Sequence, residues 1–164
     1  MKKSKKVFQG QKDGEELIMI FRKHWFGIIK PICLFAVLFV VSVLILVYWF
    51  EITIMLIVGF VILLLAIFYF LYNYLLWWQD VYILTTQRVI DVDQKSLFHR
   101  VVSEAELKNI QDTNYEVEGF WRTMLNFGRV KILTASSGQS IVFEDITNPH
   151  KVQEMIIQAK DVLG

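Results

Sequence analysis

Residues able to carry out acid–base, nucleophilic or metal chemistry are scattered along this sequence. His24, His99 and His150 lie far apart, and none has a second histidine or cysteine three or four residues away. No serine stands in a G-x-S-x-G motif, and there is no glycine-rich phosphate loop. We therefore expect no metal site, no cofactor and no catalytic residue, and we predict that the protein is not an enzyme.

Two pairs of carboxylates and one thiol complete the set of reactive side chains. Asp91 with Asp93, and Glu104 with Glu106, are two residues apart, so each pair shares one face of a strand. We predict that this is the solvent face, where such pairs are ordinarily found. Cys33 is the single cysteine, which excludes an internal disulfide. It is interpreted as a small packing group, with palmitoylation as the alternative.

The candidate binding residues are two basic and three aromatic side chains. They are Arg88, Lys95, Phe120, Trp121 and Phe127. Arg88 follows a predicted turn, and we favour a structural hydrogen bond to Asp80 or to the turn carbonyls over phosphate binding. Lys95 has acidic neighbours in the sequence, which makes a phosphate site unfavourable there. The three aromatic residues are predicted to fill the core, and a wedge in the lipid headgroup region is the alternative.

The elements that must position these residues fall into two kinds. The chain has 164 residues, of which 55% are apolar and 20% charged, with a mean hydropathy of +0.45. The apolar excess is concentrated between Pro31 and Gln79, where Glu51 is the only charged residue. The apolar runs at about residues 32–50 and 52–75 are each long enough to form a helix that crosses the hydrocarbon core of a membrane. The sequence therefore predicts a transmembrane helical hairpin over residues 31–78.

The distribution of charge predicts the orientation of this hairpin. Residues 1–30 carry a net charge of +5, whereas residues 79–164 carry −3. Basic residues flank both predicted spans on one side, and none lies in the link at Glu51. The positive-inside rule then places both termini in the cytoplasm, with residues 1–30 as a basic cytoplasmic segment at the inner membrane. A nucleic-acid-binding domain would be basic, so we expect no nucleic acid partner.

From residue 79 onwards the hydrophobic pattern alternates, as in β-strands. Strands are predicted at residues 81–85, 89–93, 97–103, 107–117, 130–135 and 141–146, with turns at residues 86–88, 94–96 and 136–139. Asn148 and Pro149 then predict the cap and first turn of a helix. Its apolar stripe comprises Val152, Met155, Ile156, Ala159 and Val162. We predict an all-β barrel or sandwich over residues 79–164, capped by this C-terminal helix.

Several short segments together resemble a known family. They are Arg22-Lys23-His24-Trp25, Asp80-Val81-Tyr82-Ile83-Leu84-Thr85-Thr86-Gln87-Arg88, Leu107-Lys108-Asn109-Ile110-Gln111-Asp112, Phe127-Gly128-Arg129-Val130 and Ile146-Thr147-Asn148-Pro149. From Glu15 onwards the chain resembles the bacterial pleckstrin-homology-like family of membrane proteins, which have two spans followed by this domain. The resemblance implies a pleckstrin-homology-like (PH-like) fold and suggests a role in envelope maintenance.

Two functions are compatible with this layout. The first is a membrane-anchored interaction or scaffold module that binds a protein partner or a second copy of the chain at the inner membrane surface. The second is a lipid-headgroup binding module, which needs several basic residues around the first hairpin. We favour the interaction module, because Arg88 and Lys95 are surrounded by acidic residues. Membrane lipids are expected contacts in either case.

Overall fold

The computed structural model describes residues 10–135 and 140–162. The chain divides into two compact units, of which one is Trp25–Gln79 and the other combines the chain up to His24 with the chain from Asp80 onwards. We call these the helix pair and the β unit. The first nine residues of the predicted basic segment, and the turn predicted at residues 136–139, lie outside the described residues.

The β unit consists of two antiparallel sheets and a C-terminal helix. One sheet has the order β1-β2-β3-β4 and the other the order β5-β6-β7. The strands are β1 (Leu17–Arg22), β2 (Val81–Thr85), β3 (Arg88–Ser96), β4 (His99–Glu106), β5 (Ile110–Glu116), β6 (Phe127–Thr134) and β7 (Ser140–Thr147). The two sheets enclose a core of aliphatic and aromatic side chains, with Leu84, Val130 and Phe143 fully buried.

The first strand lies outside the predicted domain. Residues 1–30 were expected to form only a basic segment, but Leu17–Arg22 pairs with β2, from Leu17 opposite Thr85 to Arg22 opposite Val81. The prediction that the β-domain starts at residue 79 is therefore wrong at its N-terminal boundary. The reason is that β1 is an end strand with three exposed apolar residues, so its sequence lacks the alternation typical of a half-buried strand.

The later strands follow the predicted order with shifted ends. The turn predicted at residues 94–96 is wrong, because β3 continues to Ser96 and the chain reverses at Leu97 and Phe98. Gly128 in β6 does not have a positive φ. A Cβ there would lie 2.3 Å from the carbonyl oxygen of Glu116 on the neighbouring strand. The glycine is needed for close approach of two backbones.

The C-terminal helix, α4 (Pro149–Asp161), confirms the predicted cap. The Asn148 side chain accepts a hydrogen bond from the Lys151 backbone N–H, and Pro149 occupies the first turn. Val152 and Ile156 are buried against the core, whereas Val162, predicted on the same stripe, follows the helix and is exposed. A shorter helix, α3 (Phe120–Met124), connects β5 to β6.

The helix pair consists of α1 (Ile29–Tyr48) and α2 (Thr53–Gln79), joined by a short link that contains Glu51. Both helices are long and apolar enough to cross a membrane. They approach closely at Gly59, whose carbonyl oxygen accepts a hydrogen bond of 2.8 Å from the Ser42 hydroxyl. A Cβ on Gly59 would lie 2.8 Å from Leu46, so the glycine allows this contact. Ala66, one heptad further on, is also buried.

Candidate functional site

Arg88 lies in a buried network at the turn between β2 and β3. Its Nε is 2.9 Å from Oε1 of Glu15, and its Nη1 is 2.5 Å from Oε2 of Glu104. Its Nη2 donates to the Gly10 carbonyl oxygen at 2.6 Å and to the second Glu15 oxygen at 3.1 Å. The segment before β1 thus covers the guanidinium, and Arg88 is only 5% exposed. The favoured structural role therefore has different partners from those expected, since Asp80 takes no part.

Glu15 is the central carboxylate of this network. Burial by itself raises its pKa, but hydrogen bonds from Arg88, the Lys12 backbone and Thr85 outweigh that effect and hold the pKa below its usual range. Thr85 contributes a hydroxyl 2.8 Å from Oε1 of Glu15. Because a buried carboxylate and guanidinium satisfy each other here, the network ties residues 10–16 to the sheet.

Lys95 lies among acidic residues, as the sequence suggested. Its ammonium is 2.5 Å from Oδ2 of Asp93, and the Lys23 ammonium is 3.8 Å from the other oxygen of that carboxylate. Lys23 also pairs with Asp80 at 2.7 Å, and Asp80 accepts the backbone N–H of Gln94 at 2.7 Å. The lysines neutralise carboxylates in this cluster, so the arrangement has little positive charge to offer a phosphate group.

The prediction that the Asp91 carboxylate faces solvent is wrong. Asp91 lies opposite Tyr82 in the register of β2 and β3, and Tyr82 belongs to the core. Within the described residues, its Oδ1 is buried without a hydrogen-bond partner. Burial, together with the negative charge of Asp93, raises the pKa of Asp91 to about 6. The prediction failed because Val89, two residues earlier on the same face, is a core residue.

The three aromatic candidates separate in the structure. Phe127 is fully buried at the start of β6, and the His24 ring stacks on it with a centroid distance of 4.5 Å. Burial lowers the pKa of His24, although nearby Asp145 opposes that effect. Phe120 and Trp121, on α3, are 72% and 56% exposed. The prediction that these aromatic residues fill the core is correct for Phe127 and wrong for the other two.

Phe98 is an exposed residue that the sequence analysis did not single out. It stands at the turn between β3 and β4 and is completely exposed, beside Leu97 at 42%. An apolar pair at a hairpin turn predicts exposed side chains, because such a pair has no core to enter. Phe98 was not identified in this way because the turn was predicted at residues 94–96.

The described residues contain no group of three or more histidine, cysteine or acidic side chains placed to hold a metal ion. The candidate residues fall into three separate groups. They are the covered Arg88 network, the neutralised lysine and aspartate cluster, and the exposed apolar residues at Phe98 and on α3.

Comparisons with known proteins agree with this architecture. The model of the family described as Bacterial PH domain matches residues 26–160. No curated protein matches the sequence. Two solved structures are similar, a protein with a pleckstrin-homology domain from Shewanella loihica and a pleckstrin homology domain from Shewanella amazonensis.

The first is 18% identical, with a TM-score of 0.40, over 49% of this chain and 70% of that chain. The second is 19% identical, with a TM-score of 0.42, over 50% of this chain and 67% of that chain. The family assignment rests on the sequence match, which covers most of the chain. On that match, the chain belongs to the bacterial PH domain family.

Proposed function

We propose that this protein is a membrane-anchored PH-like domain that acts as a non-catalytic interaction or scaffold module at the inner surface of the cell membrane. One observation carries the proposal: the two long apolar helices are inserted between β1 and β2, which are neighbouring strands of one sheet. PH domains are generally non-catalytic binding modules, which agrees with this role. Envelope maintenance is the biological setting we propose, on the resemblance alone.

The helix pair supports membrane anchoring through its surface. The two candidate spans have mean hydropathies of 2.9 and 3.1, and only 11% of each is buried by protein. Core helices of a soluble protein would be covered by other elements, whereas these leave large apolar side chains exposed along their length. Lipid is the environment that covers such a surface and still leaves all backbone groups paired within the helices.

The connections to the β unit support a tether at the membrane surface. Arg22 is opposite Val81 in the β1–β2 ladder, and the Lys23 ammonium pairs with Asp80. The chain therefore leaves the sheet for α1 and returns from α2 at adjacent positions, with no long linker between strand and helix. Two crossings without a long linker would restrict tumbling, so the same part of the β unit would always face the bilayer.

The outer edge of β4 is the surface we propose for a partner. β4 is an end strand, and no other strand in the described part of the chain pairs with its outer edge. Val101 and Val102 are 38% and 50% exposed on it. An unpaired strand edge with apolar side chains can bind a further strand from a protein partner or from a second copy of the chain.

Headgroup recognition through Arg88 and Lys95 is the alternative, and the contacts argue against it. The guanidinium of Arg88 is occupied by two carboxylates and a carbonyl oxygen, and the Lys95 ammonium contacts Asp93. A phosphate would have to displace these partners.

Photo-crosslinking in native membranes tests the interaction module. A photoreactive amino acid at Val102 should give a discrete product, either a heterodimer or a chain dimer. The same residue at Lys131, exposed on β6, should give little product. If neither position gives a product above background in membranes from cells expressing the protein at its native level, the proposed module has no partner at β4 and the proposal fails.

A further inference from the structure

The two ends of the β unit can be assigned from the strand register alone. β1 ends at Arg22 opposite the start of β2, and the backbone of Lys23 bridges to Ile146 near the end of β7. Phe127, at the start of β6, is opposite Thr147. The β3–β4 turn and α3 therefore lie at the end of the β unit from which the chain leaves for the helix pair. We call this the hairpin-tip end.

The β3–β4 hairpin extends beyond the other strands at that end. Val81, the first residue of β2, pairs with Val92. Asp93 is therefore level with Asp80, where the chain returns from the helix pair. The hairpin continues to Leu97 and Phe98, about five residues further. At a rise of ~3.3 Å per residue, this places the turn up to roughly 17 Å beyond the start of β2.

Large apolar side chains are exposed at this end. Phe98, Phe120 and Trp121 are 100%, 72% and 56% exposed, and Met124 on α3 is exposed with them. The basic residues beside them, Lys95 and Arg122, are neutralised by ion pairs with carboxylates.

We infer that the hairpin-tip end docks onto the lipid surface, with Phe98 and the α3 aromatic residues inserted at the level of the headgroups. Exposed aromatic side chains suit the boundary between headgroups and acyl chains, where an apolar face is buried by about 5–10 Å. The occupant is lipid because both candidate membrane crossings start from this end and large apolar side chains are exposed there. The inference rests on the proposed anchoring and adds a second, peripheral contact to it.

Lipid contact at this end differs from recognition of one headgroup. It needs no phosphate pocket, so the occupied contacts of Arg88 and Lys95 do not oppose it. It also leaves the Arg88 end of the β unit available to a protein partner, because that end lies at the opposite ends of β3 and β4.

Depth measurements with single nitroxide labels test this inference on the full chain. Cys33 is replaced by serine, and single cysteines are placed at Phe98, at Trp121, and at Lys108, which is exposed at the other end of the β unit. The protein is reconstituted in liposomes of phosphatidylethanolamine and phosphatidylglycerol. Accessibility to oxygen and to a water-soluble nickel chelate is then measured for each label.

Labels at positions 98 and 121 should show an oxygen-to-nickel ratio several-fold higher than the label at Lys108. Water-like ratios at both positions in anionic liposomes overturn the inference. Low accessibility of these labels to both oxygen and the nickel chelate would show that a protein, and not lipid, covers this end.

Labels at Phe39 and Ile57, in the two helices, separate this result from the proposed anchoring. Lipid-like ratios there, with water-like ratios at position 98, would refute the docking and leave the anchor intact. Water-like ratios at Phe39 and Ile57 would refute the anchor itself.

Discussion

The two ends of the β unit differ in the burial and pairing of their side chains. At the turn between β2 and β3, the Arg88 guanidinium and the Glu15 carboxylate are buried and paired, and residues 10–16 cover them. At the hairpin-tip end, Phe98 and Phe120 are exposed, and one oxygen of Asp91 is buried without a partner among the described residues. The first arrangement is what stability requires, whereas the second is costly in an isolated domain. The difference shows where the buried ion pairs of the β unit lie, and it supports the proposal that the hairpin-tip end is a contact surface.

The strongest test of this comparison is to remove the N-terminal segment, which covers Arg88 and supplies β1. A fragment of residues 79–164 lacks β1 and Glu15, so we expect it not to fold. A second polypeptide, in which a short glycine–serine link joins residues 1–24 directly to residues 80–164, should fold because Lys23 and Asp80 are already in contact. Circular dichroism and amide exchange distinguish the two. Cooperative unfolding of the fragment would contradict the role given to the N-terminal segment.

A single substitution should break the Arg88 network. Glu15→Ala leaves a buried guanidinium without its main partner, and we expect a loss of about 3–5 kcal/mol in the free energy of unfolding, measured by thermal unfolding in detergent. Because the folded-state pKa of Glu15 is lowered, its contribution is present above its ordinary pKa of 4.5 and is lost as the pH falls below that value.

The matched control for this substitution is Glu106→Ala, which removes an ion pair with exposed Lys108. Water and salt screen such a pair, so this variant should unfold almost as the unsubstituted protein does. Equal losses in the Glu15 and Glu106 variants would show that the network is not structural.

The aromatic residues allow a comparison within one chemical type. Phe127→Ala empties a fully buried site and removes the stacking partner of His24, so a loss of about 3–5 kcal/mol is expected. Phe120→Ala changes an exposed residue and should alter the free energy of unfolding by less than about 0.5 kcal/mol. A large loss in the Phe120 variant, measured in the same detergent, would mean that α3 packs as part of the core.

Apart from the control substitutions at Glu106 and Phe120, the smallest expected effect concerns the unpaired carboxylate at the hairpin-tip end. The folded-state pKa of Asp91 is raised to about 6, so the protonated form favours folding at low pH and this advantage is lost as the pH rises through 6. Asp91→Asn should therefore stabilise the protein by about 1 kcal/mol at pH ~7.5, allowing for screening by solvent, and by much less at pH ~4.5. A gain that does not depend on pH would show that the ionisation of Asp91 is not the cause.

Much of the architecture could be predicted because it depends on local patterns. The uniform apolar runs indicated two helices, and Asn148 with Pro149 indicated the start of α4. The alternation in residues 81–85 and 141–146 located β2 and β7, since each has one face in the core. The family match confirms the resemblance that these segments suggested.

The remainder could not be predicted because it depends on contacts between distant residues. Glu15 and Arg88 are 73 positions apart, with the helix pair between them, and no local pattern connects them. β1 was missed for the same reason, since its partner strand follows both helices. Trp121 and Phe127 stand close together in the sequence, but Trp121 is exposed on α3 whereas Phe127 is buried where β6 pairs with the end of β7, a strand that follows later in the chain.

In the proposed topology, the helix pair crosses the membrane and the β unit lies on the cytoplasmic side. Single cysteines at Glu51 and at Lys108, in a Cys33→Ser background, are exposed to a membrane-impermeant maleimide in intact cells. We expect the cysteine at position 51 to be labelled in intact cells and the cysteine at position 108 to be labelled only after permeabilisation. Labelling of both cysteines in intact cells, or of position 108 alone, would contradict it.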